Sequence, residues 1–325
     1  MENLPSISFV IPTYNNAKLV QRCLDSIFSQ DYPKNKIEVI TADGGSTDGT
    51  VELLKQYPVI ILNNKKRFPE GKGMGKDQAV RVAKHELIAF VDQDNELQGK
   101  QWIREMIKPL MKDKEIFGCA CRLLVKKDDP ITNRYLSLVG TDPFAIYRSL
   151  EGRAALNKIK LKDEGDYYTY KIKTENCLCT GGNCFIIRKM LLDEIGGYTQ
   201  DVEMIYALAE RGKNKLAIPK NAYTHHAAIT SFLQFLKKRN YWAAHQRFEN
   251  IKDRKYSWEP RTLNEYKTFL IFLVKSVTIL PNFLISLKYY FKTKESAWLL
   301  HAPSVFMITL IYGKVWIQSK FRKHL

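Results

Sequence analysis

Leader-like sequence is absent ahead of the first apolar stretch, residues 7–11 of 325, and none is expected. Cysteine is sparse. The six, at 23, 119, 121, 177, 179 and 184, follow no common zinc spacing, which sets aside a zinc finger or ribbon. Reduced thiols in a cytosolic setting, used as buried small hydrophobes, are expected instead. A Walker A loop is missing too. "GKGMGKD", residues 71–77, has the wrong spacing, with Asp77 where Ser or Thr would hold a cation. There is no helix-turn-helix and no aromatic RNA-binding motif. Acidic residues are scarce, 34 against 51 Lys and Arg, for a net charge of +17. That balance suits a phosphorylated substrate, anionic lipid or nucleic acid. It is uneven: residues 231–325 carry 17 Lys and Arg against 5 Asp and Glu.

What is present is a core-forming chain, 45% hydrophobic, which excludes global disorder. Apolar strand patterns at 7–11, 37–41, 59–62 and 87–91 alternate with helical patterns at 17–30, 47–56 and 78–84. This rhythm predicts an α/β fold, a mostly parallel sheet flanked by helices. Such sheets keep ligands at the C-terminal ends of their strands. Tyr14, Asp43, Asp92 and Asp94 all fall at such ends.

The stretch "FVDQDNEL", residues 90–97, ends a buried strand on two carboxylates one residue apart. In a continued strand Asp92 and Asp94 point the same way and converge on one hard cation such as Mg²⁺ or Mn²⁺; a solvated acidic turn is the plainer alternative. In "DGGSTDGT", residues 43–50, Ser46 or Thr47 caps a helix while Asp43 has no capping role. Lys72 and Lys76 suit neutralisation of a diphosphate, or simply make a basic loop. His225-His226 follow a predicted strand, and His225 is a candidate further metal ligand, with a structural histidine pair as the alternative. "LKKRNYW", residues 236–242, sets a basic trio beside aromatics, either a phosphate contact or a solvated helix face. The polar, Tyr-rich insert 126–175 has no clean periodicity, and "GTDPFAIY", 140–147, within it reads as a turn with an aromatic run.

"SFVIPTYNN", "DGGSTDGT", "FVDQDN", "CTGGNCFIIRKMLLDEIGGY" and "QDVEM...LAERG" occur in this order. Together they resemble a family-2 glycosyltransferase of the GT-A fold, over roughly residues 6 to 250. The resemblance implies a GT-A Rossmann-like sheet and inverting transfer of a sugar from a UDP- or GDP-type donor. It implies that Pro12, Tyr14 and Asp43 hold the nucleotide base, and that Asp92 and Asp94 bind the donor diphosphate through Mg²⁺ or Mn²⁺. Gly181, Gly182 and Asn183 would border donor sugar and acceptor, and Asp201 would be the catalytic base. Here the family's Glu-Asp pair reads Gln200-Asp201, so one carboxylate is missing; Glu203 is the candidate substitute, and a helix-capping acid is the plainer reading of Asp201.

Beyond about residue 260 the chain turns apolar over 269–287, interrupted by Lys275 and Pro281, and over 297–313, interrupted by His301 and Pro303. Each stretch nears the length of a membrane span. Basic residues at every junction (Arg261, Lys267, Lys288, Lys292, Lys294, Lys314, Lys320, Arg322, Lys323) favour in-plane or re-entrant helices at an anionic cytosolic surface over a hairpin. The expected organisation is a catalytic domain over 1–250 and a basic, hydrophobic, membrane-associating helical region over 251–325, the catalytic domain on the cytoplasmic side. The acceptor is then membrane-linked, a lipid-linked or cell-surface glycan, and no nucleic acid partner is expected. A non-catalytic nucleic-acid-binding protein and a nucleotidyltransferase on a similar sheet are the alternatives.

Overall fold

A computed structural model of the chain describes residues 4–64, 66–144, 160–174, 177, 180–227, 229–244 and 263–321. Cys179, the 145–159 part of the insert, Arg261, Arg322 and Lys323 lie outside the described residues. The chain forms two compact units, Met1–Leu124 with Tyr147–Ala227, and Val125–Ile146 with Ala228–Leu325.

The first unit begins with β1 (Ile7–Thr13), α1 (Ala17–Phe28), β2 (Ile37–Asp43), α2 (Thr50–Leu54), β3 (Ile60–Asn63), α3 (Gly75–Val82) and β4 (Leu87–Phe90). It continues through β5 (Asn95–Leu97), α4 (Trp102–Lys112), β6 (Ile116–Ala120) and β7 (Arg122–Leu123). A second-unit helix, α5 (Ile131–Val139), intervenes before β8 (Lys162–Asp163), β9 (Tyr167–Lys171), β10 (Phe185–Arg188), α6 (Lys189–Glu194), α7 (Asp201–Glu210), β11 (Lys215–Pro219) and β12 (Tyr223–His226). The nine-stranded sheet runs β3-β2-β1-β4-β10-β6-β11-β9-β8, and β5-β12-β7 form a small second sheet. β3, β2, β1 and β4 pair in parallel, whereas β10 is antiparallel to both β4 and β6. The mostly parallel α/β sheet expected from the sequence is present, with antiparallel β10 at its centre.

β1 is buried on both faces, as a central parallel strand must be, and reads as a nearly continuous apolar run. Its Pro12 is tolerated because β4 pairs with β1 only as far as Val10, so proline falls where one side of the strand has no partner. α1 buries Val20, Cys23, Leu24 and Ile27 on one stripe. Burying a Val, Leu or Ile side chain contributes about 1.5–3 kcal/mol each. Where β6 pairs with β10, only glycine fits: a Cβ on Gly118 would stand 2.4 Å from Phe185 Cζ and 2.9 Å from the Ile186 carbonyl.

The second unit holds α5 and four later elements: α8 (Phe232–Trp242), α9 (Leu263–Val277), α10 (Leu280–Thr293) and, after a 3₁₀ turn at Ser296–Leu300, α11 (His301–Phe321). α5, placed in an insert without sequence periodicity, buries Tyr135, Leu136, Leu138 and Val139. Its Tyr135 hydroxyl meets His301 Nδ1 at 2.8 Å, and Tyr289 stacks on Trp298 with ring centroids 4.5 Å apart. One described helix, Ser296–Ser319, is long and apolar enough to cross a membrane, with 39% of its most apolar window buried. Phe269–Val277 and Leu280–Thr293 reach that length only together, and they are bent by 77° at the break between them. The break comes at Ile279, which has a φ of 60°, so Pro281 opens α10 in its first turn. Pro303, expected to interrupt its segment, instead sits in the first turn of α11, where a proline removes no helical hydrogen bond.

Candidate active site at the strand ends

β1, β2 and β4 end side by side, and their last residues lead into the loops that carry the singled-out motifs. Asp43, at the end of β2, is buried. Its Oδ1 accepts from the Gly45 and Ser46 amides at 2.9 and 2.8 Å, and its Oδ2 from the Thr13 and Ser46 hydroxyls at 3.0 and 2.6 Å. Those four bonds use the acceptor capacity of a carboxylate, so Asp43 shapes the Gly44–Ser46 turn. Pro12 is opposite Ala42 in the ladder. Tyr14 is exposed. The Gln93 side chain clasps its backbone, with 2.8 Å from Tyr14 N to Oε1 and 3.1 Å from Nε2 to the carbonyl, and the Arg67 guanidinium lies 5.6 Å from its ring centroid.

The paired carboxylates do not sit on a continued strand. β4 ends at Phe90, and the chain turns so that the Asn95 amide donates to the Asp92 carbonyl at 3.0 Å. The i, i+2 rule for strands therefore does not apply, and the two carboxylates face different partners. Asp92 Oδ1 lies 3.0 Å from Lys76 Nζ, and Asp94 Oδ1 lies 3.2 Å from His226 Nε2. His225 points elsewhere, with Nδ1 3.6 Å from Glu96 Oε2 and 3.5 Å from Arg22 Nη2. β12 explains the split: consecutive strand residues face opposite sides, so one histidine meets Asp94 and the other Glu96. Among the described residues, no group of three or more His, Cys, Asp and Glu converges as a metal cage. The donor set nonetheless fits a hard cation that brings phosphate oxygens with it, since such ions need only one or two protein carboxylates. A separation of 3.2 Å suits two neighbouring ligands on one ion.

The "TGGN" turn is tied to this loop. Asn183 Oδ1 accepts from the Asp92 amide at 3.1 Å and from Asn95 Nδ2 at 2.8 Å, and the Gly182 carbonyl accepts from Lys76. Gly181 is required by its backbone conformation and Gly182 by close approach. A Cβ on Gly181, whose φ is 107°, would stand 2.6 Å from Met204 Cε; one on Gly182 would stand 2.8 Å from Tyr198 Oη and 2.9 Å from Asp201 Cβ. Asp201 is the first residue of α7, and its Oδ1 accepts the Val202 amide at 2.7 Å. Glu203 lies in the same first turn. The carboxylates of Asp92 and Asp201 thus belong to segments that flank Gly182.

Sequence reading gave Lys76 as a diphosphate neutraliser or part of a basic loop, and it missed Glu70 and Tyr198, the partners through which Lys76 joins these segments. Lys76, only 2% exposed, ion-pairs with Glu70 at 2.6 Å, and the other oxygen of Glu70 accepts the Tyr198 hydroxyl. Burial alone would pull the Lys76 pKa down, but Asp92 and Glu70 outweigh it and hold the ammonium charged. The Glu70 carboxyl is pushed up by burial; Lys76 opposes the shift and nearby Asp201 adds to it. Buried Asp77 accepts from the Gly73 amide at 2.7 Å, Arg81 Nε at 2.9 Å and the Tyr198 amide at 3.0 Å. The available signal was the presence of both signs, Glu70 and Asp77 on either side of Lys72 and Lys76, in a Gly-rich loop, which carries more than a basic patch. Of the cysteines, Cys23, Cys119, Cys121, Cys177 and Cys184 are buried free thiols. Lys237, Lys238 and Arg239 belong to α8 in the second unit, where Arg239 pairs with Asp142 at 3.2 Å.

Comparison with known proteins agrees with this arrangement. The chain is 35% identical over 102 residues to a poly(ribitol-phosphate) beta-glucosyltransferase of Bacillus spizizenii, covering 30% of this chain and 16% of that protein. It is 34% identical over 115 residues to a dolichyl N-acetyl-alpha-D-glucosaminyl phosphate 3-beta-D-2,3-diacetamido-2,3-dideoxy-beta-D-glucuronosyltransferase of Methanococcus voltae, covering 30% and 35%. The matched stretches are thus a minor part of both relatives. Among solved structures, a mannosyltransferase from Pyrobaculum calidifontis, in complex with GDP-Man and Mn²⁺, superposes with a TM-score of 0.57 at 16% identity over 96% of this chain and 88% of that one. At that identity the likeness speaks for the fold, the GT-A arrangement expected from the sequence. The profile described as "Glycosyl transferase family 2" matches residues 8–196, more than half of the 325, and the chain belongs to that family.

Proposed function

We propose that the protein is an inverting glycosyltransferase that moves a sugar from a nucleoside-diphosphate donor, of UDP or GDP type, to a hydroxyl on a membrane-linked glycan. The observation that carries this reading is the meeting of three segments around Gly182: the carboxylate loop after β4, the "TGGN" turn and the start of α7. Pro12, Tyr14 and the Asp43-braced turn supply the nucleotide end. Asp94 and His226 would hold Mg²⁺ or Mn²⁺, with Asp92 on the same loop but paired with Lys76; when bound, that ion absorbs charge developing on the leaving diphosphate. Gly181, Gly182 and Asn183 border the reacting sugar, since the close packing of Gly182 against Asp201 and the bond of Asn183 to the Asp92 amide set this turn between the two carboxylates.

Asp201 is the base. It stands at the first residue of α7, packed against Gly182. As an acceptor hydroxyl attacks the anomeric carbon, the bond to the diphosphate oxygen breaks, oxocarbenium character builds, and the hydroxyl proton passes to the Asp201 carboxylate. Attack opposite the leaving group inverts the centre.

The membrane part of the reading rests on an inverted burial pattern in the second unit. In α9 and α10 the buried positions include Ser276, Asn282 and Ser286, whereas Leu270, Val274, Leu280, Phe283, Leu284 and Phe291 are exposed. The serine and asparagine side chains bond to helix carbonyls, the way polar groups are satisfied where water is excluded. With Lys267, Lys275, Lys288 and Lys292 exposed nearby, the bent pair suits an anionic cytosolic interface. A membrane-associating region over 251–325 beside a catalytic domain over 1–250 remains part of this reading. The relatives named for poly(ribitol-phosphate) and dolichyl-linked acceptors support a cell-envelope or lipid-linked acceptor. Release of UDP or GDP from a panel of nucleotide sugars, with and without Mn²⁺, tests the proposal. Metal-dependent release from at least one donor is expected, and no release from any would refute it.

A further inference from the structure

Lys76 suits a diphosphate ligand by charge and by its place in a Gly-rich loop, but its geometry argues for another role. An ammonium has three N–H donors. Here they meet Glu70 Oε1 at 2.6 Å, Asp92 Oδ1 at 3.0 Å and the Gly182 carbonyl, each acceptor on a different segment. The side chain is 2% exposed, so none of these bonds is a loose surface contact. Glu70 continues the connection. Its second oxygen holds the hydroxyl of Tyr198, itself buried, and that hydroxyl lies 2.8 Å from where a Gly182 Cβ would be, with Asp201 Cβ 2.9 Å from the same point. Asp77, next in sequence, fixes the other end of Tyr198 through its amide at 3.0 Å. A continuous path of bonded groups runs from Asp92 through Lys76 and Glu70 to Tyr198, alongside Asp201.

Resting on the glycosyltransferase reading, we propose that Lys76 is a positioning residue whose ammonium clamps the donor-side carboxylate loop to the turn beside Asp201, and that Glu70 is its partner, carrying the connection on to Tyr198. Charge explains the need. Asp92, Glu70 and Asp201 are three anionic groups around one glycine turn, and a buried cation between the first two lets them approach without mutual repulsion. A geometry held this way matters to rate more than to affinity, because misplacing reacting groups by about 1 Å lowers turnover on the order of 10²-fold.

The test uses the full chain carrying Lys76→Met, and the double variant Glu70→Gln/Lys76→Met, which removes both charges of the pair and provides a folded form if the single change does not. Amide exchange, UDP and GDP affinity with Mn²⁺, Tm and turnover are measured. In Lys76→Met, exchange should rise together at residues 92–95 and 181–184, with kcat falling on the order of 10²-fold and nucleotide affinity held within about threefold. The double variant should regain Tm but not kcat. Nucleotide affinity lost with kcat retained would assign Lys76 to the diphosphate and overturn the proposal, as would a double variant with restored kcat or exchange that rises in only one segment. A wild-type chain that turns over no nucleotide sugar refutes the glycosyltransferase reading instead; the exchange pattern then still decides whether Lys76 clamps the two segments.

Discussion

Replacing Asp201 with asparagine separates its two duties. As the first residue of α7 it accepts the Val202 amide at 2.7 Å through Oδ1, and an asparagine carbonyl oxygen can keep that bond. What the helix loses is a negative charge at its N-terminus, worth about 0.3–1 kcal/mol. For a unit of this size that lowers Tm by roughly 1–4 °C. The chemical loss is larger. An amide cannot take the acceptor's proton, and general-base catalysis contributes about 10²–10⁴-fold, equivalent to roughly 3–5 kcal/mol in the barrier. Donor affinity should hardly change, because the proposed nucleotide end lies in the loops after β1 and β2. The assay is steady-state release of nucleoside diphosphate with a hydroxyl acceptor present, alongside calorimetric titration of the nucleotide. Turnover within about threefold of wild type, in a variant with normal Tm, would refute the assignment of Asp201 as base. Glu203→Gln would then be the next variant.

Gly182→Ala should lower turnover sharply while the fold persists, because its methyl would press on Tyr198 Oη and Asp201 Cβ at under 3 Å; unchanged turnover would mean that the turn does not border the reaction. Asp94→Ala and His226→Ala should each weaken the Mn²⁺ dependence of nucleotide binding by about tenfold or more, read by titration with metal and nucleotide; a metal response lost in His225→Ala but kept in His226→Ala would contradict the pairing seen here. Flotation with vesicles containing anionic lipid should carry the wild-type chain, and Phe283→Asp with Leu284→Asp should release it with Tm unchanged; failure of the wild type to float would remove the membrane proposal.

Much of the fold was legible in the sequence because parallel strands buried on both faces leave apolar runs. The runs at 7–11, 37–41 and 87–91 correspond to β1, β2 and β4, and their ends are where Tyr14, Asp43 and Asp92 stand. Less legible was anything fixed by contacts between distant segments. β10 lies antiparallel between β4 and β6, a placement its four-residue pattern cannot encode. The D-x-D spacing marked the right loop, yet the strand-based reason for convergence failed, since the chain turns after Phe90 and sends Asp92 to Lys76 and Asp94 to His226. Buried ion pairs are hidden for the same reason. Lys76 reads as a diphosphate contact or part of a basic loop, and Glu70 carries no reading of its own, until Tyr198 and Gly182 arrive from more than 100 residues away. α5 was missed because its buried stripe includes Thr132, Asn133 and Ser137, which blur the apolar period.

The pairing of α5 with the far end of the chain has a consequence for synthesis. Tyr135 meets His301, 166 positions later, and Arg134 pairs with Glu295. A ribosome adding about 5–20 residues per second needs on the order of 10–30 s to bridge that gap. Throughout that interval the buried side of α5 has none of its native cover from residues 295–301. The nascent chain therefore carries an apolar helix awaiting its partner, a natural target for a holding chaperone or a nearby bilayer. Ribosome-bound chains stalled before residue 295 should be cut by protease within α5, and chains carried past residue 321 should resist; equal resistance in both would show that α5 is covered from elsewhere.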